Sequence, residues 1–284
     1  MKRLYILFFS TLMLALPAEA QSVKYQRIDS LTVCSLLEQA PQGATTLWFA
    51  RKLLDRPYVA HTLEGNKSEQ LVVNTRQLDC TTLVETVAAL YLSASEGRTT
   101  WAAFIKNLQQ IRYRGGLLNG YVSRLHYFSD WIVDNESMGY VNEIQTPNPP
   151  FTSWQAVDIY YMSRHPQSYQ ALKSHPELVP VIRRQEQALA GRKFRYIPKD
   201  KVRYSKQLRL AVKDGDILAI TCNKKGLDIA HLGFAVWQKD GLHLLNASQL
   251  HKKVVLEPMT LYQYLQKHPS HTGIRVIRLN TAKK

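Results

Sequence analysis

The clearest run of apolar positions in the chain is Cys80, Leu83, Val84, Val87, Ala88 and Tyr91, which line one face of a helix. Asp79 precedes it as an N-cap, so the first helical residue, on the stripe that must turn inward, is a cysteine. Upstream, Leu31 to Glu38 and Ala44 to Leu54 read as two short helices, and Leu71-Val72-Val73 as a short strand. From about Thr99 to Leu189 the pattern predicts helices. They are broken at Gly115-Gly116 and at Thr146-Pro147-Asn148-Pro149-Pro150, and Ser153 caps a helix through Met162. The last third changes period. Asp216 to Thr221, Ile229 to Gln238, Gly241 to Ala247, Lys253 to Glu257 and Ile274 to Leu279 read as strands, with a helix from Thr260 to Lys267 before the last. Helices first and strands afterwards predict an α+β fold, with the Cys80 helix on an antiparallel sheet.

The N-terminal residues fall outside that pattern. Lys2 and Arg3, the apolar run Leu4 to Leu16, and Pro17-Ala18-Glu19-Ala20 predict a signal peptide over 1–20 and export, with no stable membrane insertion. The remainder, 21–284, reads as a single domain with a helical insertion over about 99–190. The chain has a formal net charge of +15, which suits an acidic polymer or a membrane surface. Export argues against nucleic acid, and the basic residues form no continuous arm. Three cysteines are an odd number for an exported protein. A Cys34–Cys222 bridge would leave Cys80 free; alternatively, both are small buried apolar residues.

A thiol at a helix N-terminus is expected to ionise more easily than usual. It also needs a base. Of nine histidines, His231 stands out because it begins the apolar strand His231-Leu232-Gly233-Phe234-Ala235-Val236-Trp237. Gly233 and Ala235, on the His231 face, leave room for a packed helix. The next strand offers Asn246 to orient the imidazole, with Ser248 as the alternative. A tight turn at Asp240-Gly241 would pair Asn246 with Ala235, so a shifted turn or a bulge is needed to bring Asn246 to His231. No Cys/His spacing fits zinc, and the chemistry calls for no metal or cofactor.

Pro57-Tyr58-Val59, Leu78-Asp79-Cys80-Thr81, Gly215-Asp216-Ile217-Leu218, Ala230-His231-Leu232-Gly233-Phe234 and Asn246-Ala247-Ser248 follow the order found in NlpC-type, papain-like cell-wall cysteine peptidases. The chain resembles that superfamily in five elements at once. It departs in having Thr81-Thr82 after the nucleophile and Asn246 in place of a third histidine; Asn serves as orienter in papain-like triads. Two further stretches, 73–85 and Arg124-Leu125-His126-Tyr127-Phe128-Ser129-Asp130-Trp131, resemble a branch of N-acetylmuramoyl-L-alanine amidases acting on anhydro-muropeptides, whose members also carry a helical insertion between Cys and His.

The resemblance implies a papain-like core and a catalytic set of Cys80, His231 and Asn246. It implies an oxyanion site made by the Cys80 N–H and the Tyr58 hydroxyl. It implies action on anhydro-disaccharide peptides of peptidoglycan; the leader points to the periplasm, and a monomer is expected. Arg124, His126, Tyr127, Asp130 and Trp131 are the expected substrate contacts, with Tyr127 and Trp131 stacking on sugar faces and Arg76 and Asp79 adding polar contacts. A D-γ-glutamyl-diamino acid endopeptidase and a non-catalytic wall-fragment binding protein are the rival readings.

Overall fold

The computed structural model describes residues 23–281, so the expected leader lies outside the described part. The chain begins with β1 (Val23–Lys24), α1 (Arg27–Glu38), α2 (Thr46–Lys52) and β2 (Leu71–Val72). It continues through α3 (Cys80–Ser95), α4 (Trp101–Arg112), α5 (Phe128–Ser137), β3 (Val141–Ile144), β4 (Ser153–Ala156), α6 (Tyr161–Arg164), α7 (Gln170–Ser174) and α8 (Val179–Leu189). Then come β5 (Lys193–Pro198), α9 (Lys206–Ala211), β6 (Ile217–Cys222), β7 (Ile229–Gln238), β8 (Gly241–Ser248), β9 (Lys253–Leu256), α10 (Leu261–Gln266) and β10 (His271–Leu279).

The main sheet has eight strands. Seven run in the order β4-β5-β10-β6-β7-β8-β9, and β3 pairs with β10 as well. Its pairings are antiparallel, and β1 and β2 form a separate parallel pair. The fold is therefore α+β, as the pattern predicts. Helices cover both faces. Leu83, Val84, Val87 and Ala88 of α3 pack with Leu232, Phe234 and Val236 of β7 in the larger core. Leu208 of α9 and Leu261 and Leu265 of α10 pack with Ala235, Leu242 and Leu244 on the other face. So α3 does not lie on the Gly233 and Ala235 face, as expected. The bulky alternate residues of β7 offer α3 more apolar surface to bury, and that area decides the packing.

The segment around Ser153 is also corrected. Ser153 caps no helix; Ser153–Ala156 is a strand paired with β5, and the helix that follows is only Tyr161–Arg164. Local pattern misses it because an edge strand is fixed by its partner, and β5 itself lies in a basic, weakly alternating stretch. Cys34 and Cys222 are free thiols, so the Cys34–Cys222 bridge does not form. Among the described residues, no helix is long and apolar enough to cross a membrane.

Candidate active site

The start of α3 is built by a reciprocal cap. Asp79 Oδ1 accepts from the Thr82 N–H at 2.8 Å, and Thr82 Oγ1 accepts from the Asp79 N–H at 2.9 Å. The cap fixes Cys80 at the first helical position, with its side chain partly buried. Upstream, Asp29 anchors the approach: its Oδ1 accepts from the N–H of Thr75 at 2.8 Å and lies 3.3 Å from Arg76 Nε. Pro57 and Tyr58 are held beside Leu78, where Leu78 N–H donates to Pro57 O and Val59 N–H donates to Leu78 O. Tyr58 thus stands next to Cys80, and burial, with the Cys80 and Asp79 charges, raises its phenol pKa.

The backbone N–H of Leu232 and the hydroxyl and N–H of Thr81 face the Cys80 sulfur and favour its charged form. The first of these places the thiol near the His231–Leu232 peptide. The ladder between β7 and β8 closes at Gln238 and Gly241 and pairs Phe234 with Leu245. Continued one step, that register sets Asn246 opposite Gly233, so His231 and Asn246 share a face two positions apart. His231 Nε2 and Asn246 Oδ1 are 2.9 Å apart. Gly233 is required between them: a Cβ there would come within 2.7 Å of Leu244 Cδ1 and Leu245 O. The turn is therefore shifted one residue from Asp240-Gly241, to Lys239-Asp240, and Asn246 makes the bond that Ser248 was the alternative for.

Electrostatics differ from the expectation for a helix-start thiol. Burial, reinforced by the Asp79 charge, pushes the Cys80 thiol up to about 12, against the three hydrogen-bond donors. Burial lowers the pKa of His231 from its ordinary value, and the Asn246 bond only partly opposes it. The site therefore holds a neutral thiol and a neutral imidazole, not a preformed ion pair. Such a pair can act by general-base catalysis, with the proton moving to His231 as the sulfur attacks.

The side chains of the Arg124 to Trp131 stretch are engaged within the protein. Arg124 is 6% exposed, bonded to Glu64 at 2.6 Å and 3.3 Å from Glu69. His126 Nε2 is 2.9 Å from Tyr121 O, and burial pushes its pKa down to about 3. The Tyr127 hydroxyl donates to Glu186 at 2.7 Å and accepts from Met162 N–H. Asp130 pairs with Arg114. Trp131 is 1% exposed and stacked on Phe128. Tyr127 and Trp131 thus present no open ring face for a sugar, which corrects the stacking role expected of them. Asp79 is engaged as a cap and Arg76 with Asp29.

Sequence reasoning missed Tyr264, His268, His271 and Glu257, which line the α10 side of the same corner. Tyr264 feels the charges of Glu257 and Cys80, and His231 feels those of His268 and Glu257. Glu257 ends a strand and Tyr264 lies in a helix that the pattern predicts, so only their polarity set them apart. A cavity of about 850 Å³ lies at the other end of α3, beside Tyr91, Ala94 and Thr45. That is roughly 20 Å along the helix from Cys80, too far to serve this pair. Among the described residues no three His, Cys, Asp or Glu side chains are grouped to hold a metal ion.

Comparison with known proteins bears on this corner. The sequence profile of a family described as AmiA-like, N-acetylmuramoyl-L-alanine amidase-like, matches residues 48–274. The chain is 43% identical to a crystal structure of an N-acetylmuramoyl-L-alanine amidase from Bacteroides uniformis, covering 84% of this chain and 99% of that one with a TM-score of 0.78. It is 41% identical to a Bacteroides fragilis protein provisionally described as a xylanase, covering 82% and 100% with a TM-score of 0.77. A Legionella pneumophila protein at 20% identity shares the fold, covering 89% and 94% with a TM-score of 0.68. Among curated proteins, none matches. The profile match spans most of the chain and includes Cys80, His231 and Asn246, so the protein belongs to the AmiA-like, N-acetylmuramoyl-L-alanine amidase-like family.

Proposed function

We propose that the protein is an exported, papain-like cysteine amidase that hydrolyses the bond between the lactyl group of N-acetylmuramic acid and L-Ala in anhydro-muropeptides. The observation that carries this reading is the His231–Asn246 bond of 2.9 Å, with the Cys80 sulfur close enough to the neighbouring Leu232 amide to be influenced by it. Asn246 occupies Nε2, which leaves Nδ1 as the edge for the thiol. The Cys80 sulfur attacks the lactyl carbonyl while its proton passes to His231. The Cys80 N–H and the Tyr58 hydroxyl donate to the developing oxyanion. His231 then returns the proton to the L-Ala nitrogen, the C–N bond breaks, and water, activated by the same imidazole, cleaves the thioester. The neighbour from Bacteroides uniformis supports the amide-bond class through its name. The two sequence stretches of the anhydro-muropeptide branch support the sugar-linked position. The protein acts as a periplasmic monomer on soluble fragments.

Incubation with an anhydro-disaccharide tetrapeptide, followed by mass spectrometry, tests the bond cut. The expected products are free anhydro-disaccharide and an intact tetrapeptide. Release of a sugar still bearing L-Ala-D-Glu overturns the assignment in favour of an endopeptidase. Unchanged turnover in Cys80→Ala overturns the cysteine mechanism.

A further inference from the structure

Glu257 follows β9, and its N–H extends the β8–β9 ladder by donating to Leu244 O at 2.8 Å. Since β8 and β9 pair Asn246 with Val255, that step sets the Glu257 side chain on the face that carries Asn246. The residue is 1% exposed. Oε2 lies 3.1 Å from His251 Nε2, while Oε1 is buried without a hydrogen-bond partner. Among the described residues no lysine or arginine forms an ion pair with it. Burying a carboxyl group with one oxygen unpartnered costs stability. The carboxyl does reach His231, one member of the reacting pair, and Tyr264: its charge acts on both.

The other charged or titratable groups around His231 are Asp79 and Cys80 at the start of α3, His268 after α10 and His271 at the start of β10. When His231 accepts the Cys80 proton it becomes a cation. Asn246 offers that cation only a dipole. Among the described residues, the carboxylates whose charges act on His231 are Asp79, from the α3 side, and Glu257, from the β8–β9 side.

We propose that Glu257 is a positioning residue for the amidase reaction, whose buried charge beside Asn246 stabilises the imidazolium formed at His231. Glu257 neither gains nor loses a proton in the step. The proton leaves Cys80 Sγ for His231 Nδ1 as the S–C bond forms, and leaves His231 for the amine as the C–N bond breaks. The inference rests on Cys80 and His231 being the reacting pair.

The test is the pH dependence of kcat and KM for Glu257→Gln, Glu257→Asp and the parent protein on the anhydro-disaccharide tetrapeptide. In Glu257→Gln, kcat falls about tenfold, KM stays within about twofold, and the acid limb of kcat/KM moves roughly one pH unit lower. Glu257→Asp restores the limb. An unmoved limb, or a rise in KM alone, overturns the proposal. Should Glu257→Gln not fold, His251→Lys takes its place. It sets a fixed positive charge against Oε2 and so offsets Glu257, and the limb moves lower; an unmoved or raised limb overturns the proposal. Cys80→Ala separates the two levels. If it is inactive and the Glu257→Gln limb is unmoved, only the role of Glu257 fails; if it is active, the reacting pair itself fails.

Discussion

The corner where Cys80 meets β7 and the stretch from Arg124 to Trp131 are both rich in ionisable and aromatic side chains, and they use them in opposite ways. At the corner, polar atoms face one another across the end of a sheet. One imidazole edge is fixed by Asn246 and the other is left for a thiol. In the second region nearly every polar group closes on a protein partner: Arg124 on Glu64 and Glu69, Tyr127 on Glu186, Asp130 on Arg114. Deeper in, Glu85 of α3 meets Arg112 of α4 at 2.7 Å. Arg124 thus ties the helical insertion to the segment before α3, and the Glu85–Arg112 pair ties α4 to α3. The lesson is that an Arg-His-Tyr-Asp-Trp stretch reads alike whether it grips a ligand or braces a core, and burial separates the two.

If the contrast is sound, substitutions in the two regions break different properties. The largest effect belongs to the corner. Cys80→Ala is expected to lower kcat by roughly 10⁴-fold or more, as loss of a nucleophile does, while the thermal midpoint stays within a few degrees. Turnover is read with the disaccharide tetrapeptide and the midpoint by calorimetry. A large drop in midpoint would mean that the thiol also braces the fold, and the contrast would blur.

The second region should show the reverse. Arg124→Ala removes the guanidinium between Glu64 and Glu69, and burial raises the pKa of Glu69 against the attraction of Arg124. Taking one partner from a buried pair costs roughly 3–5 kcal/mol. For a chain of this size that lowers the midpoint by roughly 10 °C. Below the new midpoint kcat is expected to be nearly unchanged. A fall in kcat or a rise in KM with an intact midpoint would return Arg124 to the substrate-binding role that its sequence context suggests.

Sequence pattern reached the two regions unequally for a physical reason. The α3 stripe and its Asp79 cap are local, and spacing alone gives them. The strands β6 to β10 alternate or are continuously apolar, and hairpin turns mark their ends. Cys80 and His231 were legible because a helix start and a strand start are unusual places for a thiol and an imidazole. The β7–β8 register was not legible, because it depends on a turn at Lys239-Asp240 instead of the glycine-bearing Asp240-Gly241. The strands β3, β4 and β5 are short pieces whose partners lie far along the chain. Nor could local pattern show that Arg124 would find Glu64 some sixty residues upstream. Distant pairing decides burial, and burial decided which side chains were free for chemistry.

The pH profile sharpens the contrast further. A base must be neutral to act, and burial lowers the His231 pKa from its ordinary 6.5. The acid limb of kcat/KM is therefore expected below 6.5, with activity kept at mildly acidic pH. The thiol, pushed up to about 12, stays protonated across the neutral range. Alkylation of Cys80 by iodoacetamide should accordingly be slow near neutral pH and still rising well into alkaline pH. Fast alkylation, flat from acidic pH upward, would reveal a preformed thiolate–imidazolium pair and overturn the general-base scheme.

The smallest effect tests how finely the corner is built. The Thr81 hydroxyl faces the Cys80 sulfur and favours charge there, so a hydrogen bond from it strengthens as the proton leaves. Thr81→Val keeps the branched shape and removes the donor; the loss of one such bond is about 1 kcal/mol, or roughly fivefold in kcat. Thr81→Ser restores the donor without the methyl group and should recover most of the rate. Because Thr81 lies at the partly buried helix start and Thr82 carries the cap, neither change should move the thermal midpoint by more than a few degrees. Equal rates for Thr81→Val and the parent protein would mean that the Leu232 amide and the Thr81 N–H suffice. The side chain after the nucleophile would then serve the helix and not the sulfur.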